Sequence, residues 1–451
     1  MDPTWRKLKR HIQQEGLSGF SGIEVGLSRG QLQLKRPPHD LTPRPTIAES
    51  KLKLDPAIWK ALPDRGLPYP ELQKFVFGCL PKSFLIGNTT AQYVGYANDD
   101  KTRIEGASGG VLTQALLYLL KTKRITGAVV SRLSASDPTQ PETFIARTEE
   151  DIRSAAGSIY TESSPLTILA DLVNESGPLA FVGLPDHVAA IRMLQKLQHP
   201  SVKPIKYILG PYTGTILKHE AISSYLKSNN ARVNDVEKLT YRAGEWPGYL
   251  EIKLKDGRVL RAEKFYYNYL IPFFITHRTS RLAVDFTNEL TDISVGDAWA
   301  PEYEKKRGGY SVVLARSKQG NELLQEMKKV NLITLHSIEV EKVVSMHSHM
   351  IDFKKRGTFI RMQWRKKFGK PSPSFGYYPK RIPTSRYITE CVISSLFWIG
   401  STKLARTILP YIPITILGPL FNTLRLSWKK VSAPNKRSGL FETEFIVDSS
   451  Q

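Results

Sequence analysis

With 451 residues, 41% of them hydrophobic and 24% charged, the chain is long enough for two or three domains and too apolar to be disordered. Its two cysteines, Cys79 and Cys391, exclude a disulfide framework, suit a reducing compartment and fall short of the four thiolates of a cluster. The net charge of +22 calls for an anionic partner, either nucleic acid or a membrane surface.

The first ten residues carry charge with no apolar run behind it, so no secretory signal is expected and a cytoplasmic setting is. Leu17 to Glu24 has the rhythm of a ferredoxin loop, with Ser18, Ser21 and Glu24 where cysteines would stand; a Gly/Ser loop is the plain alternative. Gln31 to Lys35 alternates like a short strand. Eight prolines between residues 36 and 72 predict an extended segment lying over another surface.

From Tyr93 to about Met350 strands alternate with helices. Gly127–Ser131, Leu179–Pro185 and Ile205–Gly210 read as strands, while 151–156, 166–174 and 187–197 read as helices. This order predicts a mostly parallel sheet flanked by helices, with ligands at the carboxyl ends of its strands. Between Lys238 and Val259 the pattern changes to a β-hairpin-rich insertion turning at Asp256-Gly257. Asp292 to Trp299 reads as a strand and turn that leaves Asp297 and Trp299 in a loop.

The stretch from Arg103 to Leu120 reads as a glycine loop opening a helix. Ser108 is the expected N-cap, and Gly106, Gly109 and Gly110 allow close approach of a ligand. Free N–H groups and the helix dipole there favour a phosphate. On this reading a bulky residue at 109 blocks the ligand and spares the fold.

The C-terminal part is a basic, helical tail. From Phe353 to Lys430 it holds 16 Lys or Arg against one acid, Glu390. Two uncharged runs, 391–402 and 407–424, lie inside it; the first is too short to span a bilayer and the second is broken by three prolines. They read as an interfacial or re-entrant anchor on an anionic leaflet, at the inner face of the membrane. A helical hairpin packed on the protein's own core or at a homo-oligomer interface is the alternative. No RNA or DNA motif accompanies the charge, which disfavours nucleic acid. The expected layout is 1–90 as a degenerate ferredoxin-like segment with a Pro-rich extended linker, 91–350 as the α/β domain, and 351–451 as the tail.

Five stretches in order, Glu105–Thr113, Ala156–Tyr160, Phe181–Pro185, Arg242–Gly248 and Asp285–Trp299, together resemble the beta-subunit family of coenzyme F420 hydrogenases and dehydrogenases, which includes chlorophyll-pathway reductases. The resemblance runs from about Leu17 to Lys305. It implies an FAD-binding reductase. By position, Ser108, Gly109, Gly110, Thr113, Gly157, Ser158 and Tyr160 are the residues implied to surround the flavin. The family also binds 4Fe–4S clusters through cysteines. Here the corresponding positions hold Ser18, Ser21, Glu24, Asp186, Thr213, Ser280 and Ala283, so no cluster and no metal site is expected. Cys79 and Cys391 match none of these positions and are expected in a core or an interface.

Two functions follow. The first is a flavin-dependent oxidoreductase fed by a soluble hydride donor such as a reduced deazaflavin, NAD(P)H or flavin, with His187 and Asp297 as candidate catalytic residues. The second is a non-catalytic relative kept as a binding module on a membrane or partner enzyme. His187 as a helix-start histidine making a local bond, and Asp297 as a turn-former, are the plain readings of those two residues. His277 and Arg278 would either meet a phosphate or be solvated.

Overall fold

The computed structural model describes residues 2–14, 21–35, 43–48, 52–263, 268–306 and 308–448. Ser18 of the ferredoxin-like stretch lies outside them. Among the described residues the strands, in chain order, are β1 Leu32–Lys35, β2 Arg44–Ile47, β3 Ala91–Ala97, β4 Gly127–Leu133, β5 Pro141–Ala146, β6 Leu179–Val182, β7 Ile205–Pro211, β8 Val236–Ala243, β9 Tyr249–Leu254, β10 Val259–Glu263, β11 Ile293–Asp297, β12 Ser311–Ala315, β13 Ile333–Ser337, β14 Tyr377–Pro379 and β15 Phe445–Val447.

Eight of them form one sheet in the order β13-β3-β12-β11-β7-β6-β4-β5. Its centre, β11-β7-β6-β4, is parallel, and its flanks pair antiparallel. Apolar runs such as Gly127–Val130 and Leu179–Val182 suit strands covered on both faces. Successive side chains enter different cores: Val129, Phe181 and Ile208 join one cluster, while Ala128, Val130, Ala180 and Leu209 join the cluster on the other face. Strands β3, β4, β6, β7 and β11 run the same way, so their carboxyl ends gather along one edge. The hairpin insertion is a separate antiparallel sheet, β10-β9-β8, turning at Gly257 with φ +87°.

The helices that matter below are α1 Asp100–Glu105, α2 Val111–Lys121, α3 Glu149–Ser154, α4 Pro185–Lys196, α5 Val340–Asp352, α6 Thr358–Lys367, α7 Thr384–Gly400, α8 Lys403–Ile408 and α9 Ile414–Arg437. Of the Pro-rich segment, Pro45 lies in the extended strand β2, but the part from Pro56 to Leu72 folds into short helices. Pro63 and Pro70 stand in the first turns of short helices and Pro56 and Pro68 just before them, positions at which a missing N–H costs nothing. Ile58, Leu62, Tyr69 and Leu72 from this segment are buried in the same core as Phe359 and Tyr377 of the tail.

The tail corrects the reading of its charge. Lys354, Lys355 and Arg356, in a widened turn between α5 and α6, are fully buried, as is Arg386. Lys354 Nζ donates to the Ser280 carbonyl at 2.7 Å. Lys355 Nζ bonds Glu289 Oε1 at 2.5 Å and the Tyr377 hydroxyl at 2.7 Å. Arg356 and Arg386 share Asp352, and Arg386 and Arg361 share Glu390. Charge taken out of water must be paired or hydrogen-bonded, and each of these cations is. Five of the block's sixteen cations, Lys354, Lys355, Arg356, Arg361 and Arg386, therefore face inward and are not available to any external anion.

Candidate functional site

The loop after β3 and α1 opens helix α2, but not through Ser108. The residue at the N-cap is Gly110, at φ +73° with no side-chain cap. The Ser108 Oγ instead lies 2.7 Å from Ser311 Oγ, and the Gly109 N–H donates to the same Ser311 oxygen at 2.9 Å. A Cβ on Gly109 would stand 2.6 Å from the Gly95 carbonyl, and one on Gly110 2.5 Å from the Thr102 carbonyl. Gly109 is needed to seat the loop on the sheet and Gly110 to seat it on α1, so a bulky residue at 109 attacks the fold before it meets a ligand. The first intrahelical bond runs from Gln114 N–H to Gly110 O. The N–H groups of Val111, Leu112 and Thr113 precede that ladder and form the positive end of α2.

Gly157 sits beside this loop. It has φ +100°, and the nearest atom to a Cβ there would be the Glu105 carbonyl at 4.0 Å, so the backbone at Gly157 faces open space. Arg153, in the last turn of α3, ties the two loops together through Thr102 Oγ1 at 3.1 Å and Glu105 Oε2 at 3.3 Å. Ser158 is half-buried. Tyr160 meets the Tyr241 ring edge-on at 5.6 Å and turns toward the hairpin sheet rather than toward Gly110.

Asp297 is the last residue of β11, not a loop residue. Its carboxylate accepts two bonds from Arg242 Nη1, both at 3.0 Å, and one from Trp246 Nε1 at 2.8 Å. Trp246 and Trp299 pack with ring centroids 4.8 Å apart. A Cβ on Gly309 would lie 2.5 Å from Ser108 O and 3.4 Å from Trp246 Cβ, which places this tryptophan pair beside the Ser108 loop. Arg103 fastens the same corner, donating to the Gly308 and Gly309 carbonyls and stacking on Tyr96.

His187 belongs to a second locus. A cavity of about 20 Å³, room for about one water, is lined by Ser21, Asp64, Glu162, Asp186, His187 and Thr279. The loop that starts at Gly157 ends here at Glu162, so one segment runs between the two loci. Burial lowers the His187 pKa to about 3, which keeps the imidazole neutral. Its Nδ1 accepts the Leu184 N–H at 3.4 Å, the local bond expected of a histidine at a helix start. Burial raises the Asp186 carboxyl, against the pull of Arg278 and Lys354. Arg278 is fully buried, 3.5 Å from Asp186 and bonded to the Pro63 and Asp64 carbonyls, so it is not solvated. His277 bonds Arg365.

Two of the positions where the family resemblance implies cluster cysteines, Ser21 and Asp186, line this cavity, and Ser280 follows its Thr279. Their donors are hard oxygens, and the space holds about one water, so the residues do not fit an iron–sulfur cluster. Both cysteines are exposed, not in a core. Among the described residues no group of three His, Cys, Asp or Glu side chains is placed to hold a metal ion. Asp64, Glu162 and Ser311 had no sequence signal: each is isolated along the chain and joins the site only through folding.

The fold defines an α/β protein whose two loci both lie toward the carboxyl edge of its parallel strands. The chain belongs to the coenzyme F420 hydrogenase/dehydrogenase beta-subunit family: residues 92–170 match the amino-terminal part of that family and residues 177–341 its carboxyl-terminal part. It is 24% identical over 266 residues to the coenzyme F420 hydrogenase subunit beta of Methanococcus voltae, covering 56% of this chain and 86% of that one. It is 23% identical over 291 residues to the coenzyme F420-dependent sulfite reductase of Methanocaldococcus jannaschii, covering 60% of this chain but only 43% of that enzyme. A solved chain of the F420-reducing [NiFe] hydrogenase complex from Methanosarcina barkeri shares the fold, with a TM-score of 0.51 at 19% identity over 64% of this chain and 96% of that one. No helix among the described residues is long and apolar enough to cross a membrane.

Proposed function

We propose that the chain is a flavin-dependent oxidoreductase that holds FAD along the first locus and exchanges a hydride with a soluble donor. What carries the reading is the convergence of the α2 N-terminus, the open backbone at Gly157 and the Trp246–Trp299 pair at one corner of the sheet's carboxyl edge. The N–H groups of Val111 to Thr113 suit a diphosphate, with Ser108, Gly109 and Gly110 seating them, Gly157 and Ser158 forming the facing wall, and Tyr160 turned away toward the hairpin sheet. When bound, a flavin supplies reversible two-electron hydride chemistry.

The chain's own groups position more than they titrate. Asp297 is a positioning residue that locks Arg242 and Trp246 against the Ser108 loop. Neutral His187 donates or accepts a hydrogen bond in the cavity at the far end of the Gly157 segment. The donor is a reduced deazaflavin, NAD(P)H or a reduced flavin; two relatives are named for coenzyme F420, which favours the deazaflavin. The beta-subunit relatives also suggest a protein partner, and the apolar tail suggests work at the inner face of a membrane. A second reading, a non-catalytic binding relative, is favoured by the engagement of Asp297 with Arg242 and Trp246.

The test is cofactor release from the purified full-length chain, followed by reduction with each donor. About one FAD per chain, bleached by one of the donors, is the expected result. Protein that is colourless and takes up no added FAD overturns the oxidoreductase reading and leaves the binding module.

A further inference from the structure

The tail is built inside out. Helix α7 turns Arg386, Thr389, Glu390 and Ile393 inward, and the two charged residues are locked there by Asp352 and Arg361. Its outward face carries Ile388, Val392, Leu396 and Trp398, the last 69% exposed. An amphipathic helix in water shows the opposite arrangement. The neighbours repeat it: Leu404 on α8 is 71% exposed and Ile416 on α9 59%. Helix α7 packs against both α8 and α9, so these exposed apolar side chains stand on adjoining helices. Exposed apolar faces of this kind mark a binding surface.

The charge of the same segment says what covers it. From Cys391 to Phe441 there is no Asp or Glu, whereas Lys403, Arg406, Arg425, Lys429, Lys430, Lys436 and Arg437 are present. Lys403, Lys429 and Lys430 are exposed. A second copy of the chain would bring the same sign of charge to the contact, which opposes self-association. An anionic bilayer offers the complementary sign and an apolar interior. Helix α9 contains Pro419 and Pro434, and no described helix is long and apolar enough to span.

We infer that the outward face of α7, α8 and α9 lies flat in the headgroup region of a bilayer containing anionic lipid, with Trp398 and Leu404 inserted and Lys403, Lys429 and Lys430 on the phosphates. This deepens the membrane part of the reading above by naming the surface and the lipid class.

Full-length protein is floated with vesicles of phosphatidylcholine alone and with about 30% phosphatidylglycerol added. The expected result is flotation with the anionic vesicles, weaker by about tenfold with the neutral ones. The variant L396E/W398E/L404E loses flotation while keeping its circular-dichroism melt, because these side chains touch water in the free protein. Failure of the intact chain to float with either vesicle overturns the inference. Failure accompanied by a dimer in light scattering does so too and assigns the face to a second copy. Flotation unchanged in the triple variant overturns the assignment of the surface. Flavin content is read on the same samples, so a lost membrane contact and a lost cofactor are told apart.

Discussion

The hydroxyls of Ser108 and Ser311 lie 2.7 Å apart, and the buried Gly109 N–H shares the Ser311 oxygen. Residues about two hundred positions apart thus hold the loop that opens α2. Ser311 opens β12, the strand between β3 and β11, so the loop is anchored to the sheet at the edge where the carboxyl ends gather.

Ser311→Ala removes the acceptor of the Gly109 N–H. Leaving a buried donor unpaired costs about 1–3 kcal/mol. Urea unfolding is expected to show that loss, and FAD titration a weaker complex, since the N–H groups of α2 lose their support. Unchanged stability would mean that water takes the place of the hydroxyl.

Gly109 and Ser158 separate packing from binding. Gly109→Val forces a side chain into the Gly95 carbonyl and is expected to yield insoluble or unfolded protein. Ser158→Trp, on a half-buried wall residue, is expected to keep the melting temperature while cutting FAD affinity about tenfold or more. Full FAD binding by the Ser158 variant would remove that wall from the site.

Glu24 gives a pH signature. It is buried within electrostatic reach of the cavity's Asp64, with Oε2 unpartnered, and burial raises its pKa from 4.5 to about 7. The unfolded chain releases this proton near 4.5 while the folded chain keeps it, so the group's stabilisation is full below 4.5 and lost as pH rises through about 7. Glu24→Gln is expected to leave stability unchanged at pH 4.5 and to raise it at pH 8 by up to about 3 kcal/mol. Denaturation midpoints for the two proteins across that range check it; parallel curves would show that Glu24 does not titrate there.

The buried ion network predicts asymmetry between pairs. Glu390→Ala leaves Arg361 and Arg386 short of a partner and is expected to destabilise by about 3–5 kcal/mol. Lys380→Ala, breaking the exposed pair with Glu444, is expected to leave the thermal melt unmoved. Similar melts for the two variants would show that the tail's charges are not packed as described.

The parallel strands are legible in the sequence because an apolar run such as Leu179–Val182, closed by Gly183 and Pro185, has few other folds open to it. The hairpin at Asp256-Gly257 is legible for the same local reason. Ser108 misleads because a serine before a helix usually caps it; the oxygen that competes for it comes from β12. The basic block misleads because composition counts charges without giving their direction, and Asp352, Glu289 and Glu390 hold Lys355, Arg356, Arg361 and Arg386 inward. For Cys79 and Cys391 the sequence leaves core and interface open, and only the folded chain excludes the core, because a cysteine's burial depends on what packs against it.

By itself, then, the order of residues determined the alternation of strands and helices, the glycine turns, the kinship with the beta subunits and the absence of thiolates at their usual places, since each depends on local backbone preference or residue type. Only the folded chain decided that Ser311 carries the loop, that Ser21, Asp64, Asp186 and His187 line one cavity, and that α7 turns its charges inward and its apolar side out. Those outcomes depend on contacts between distant segments, and a one-dimensional pattern holds no record of which segments will meet.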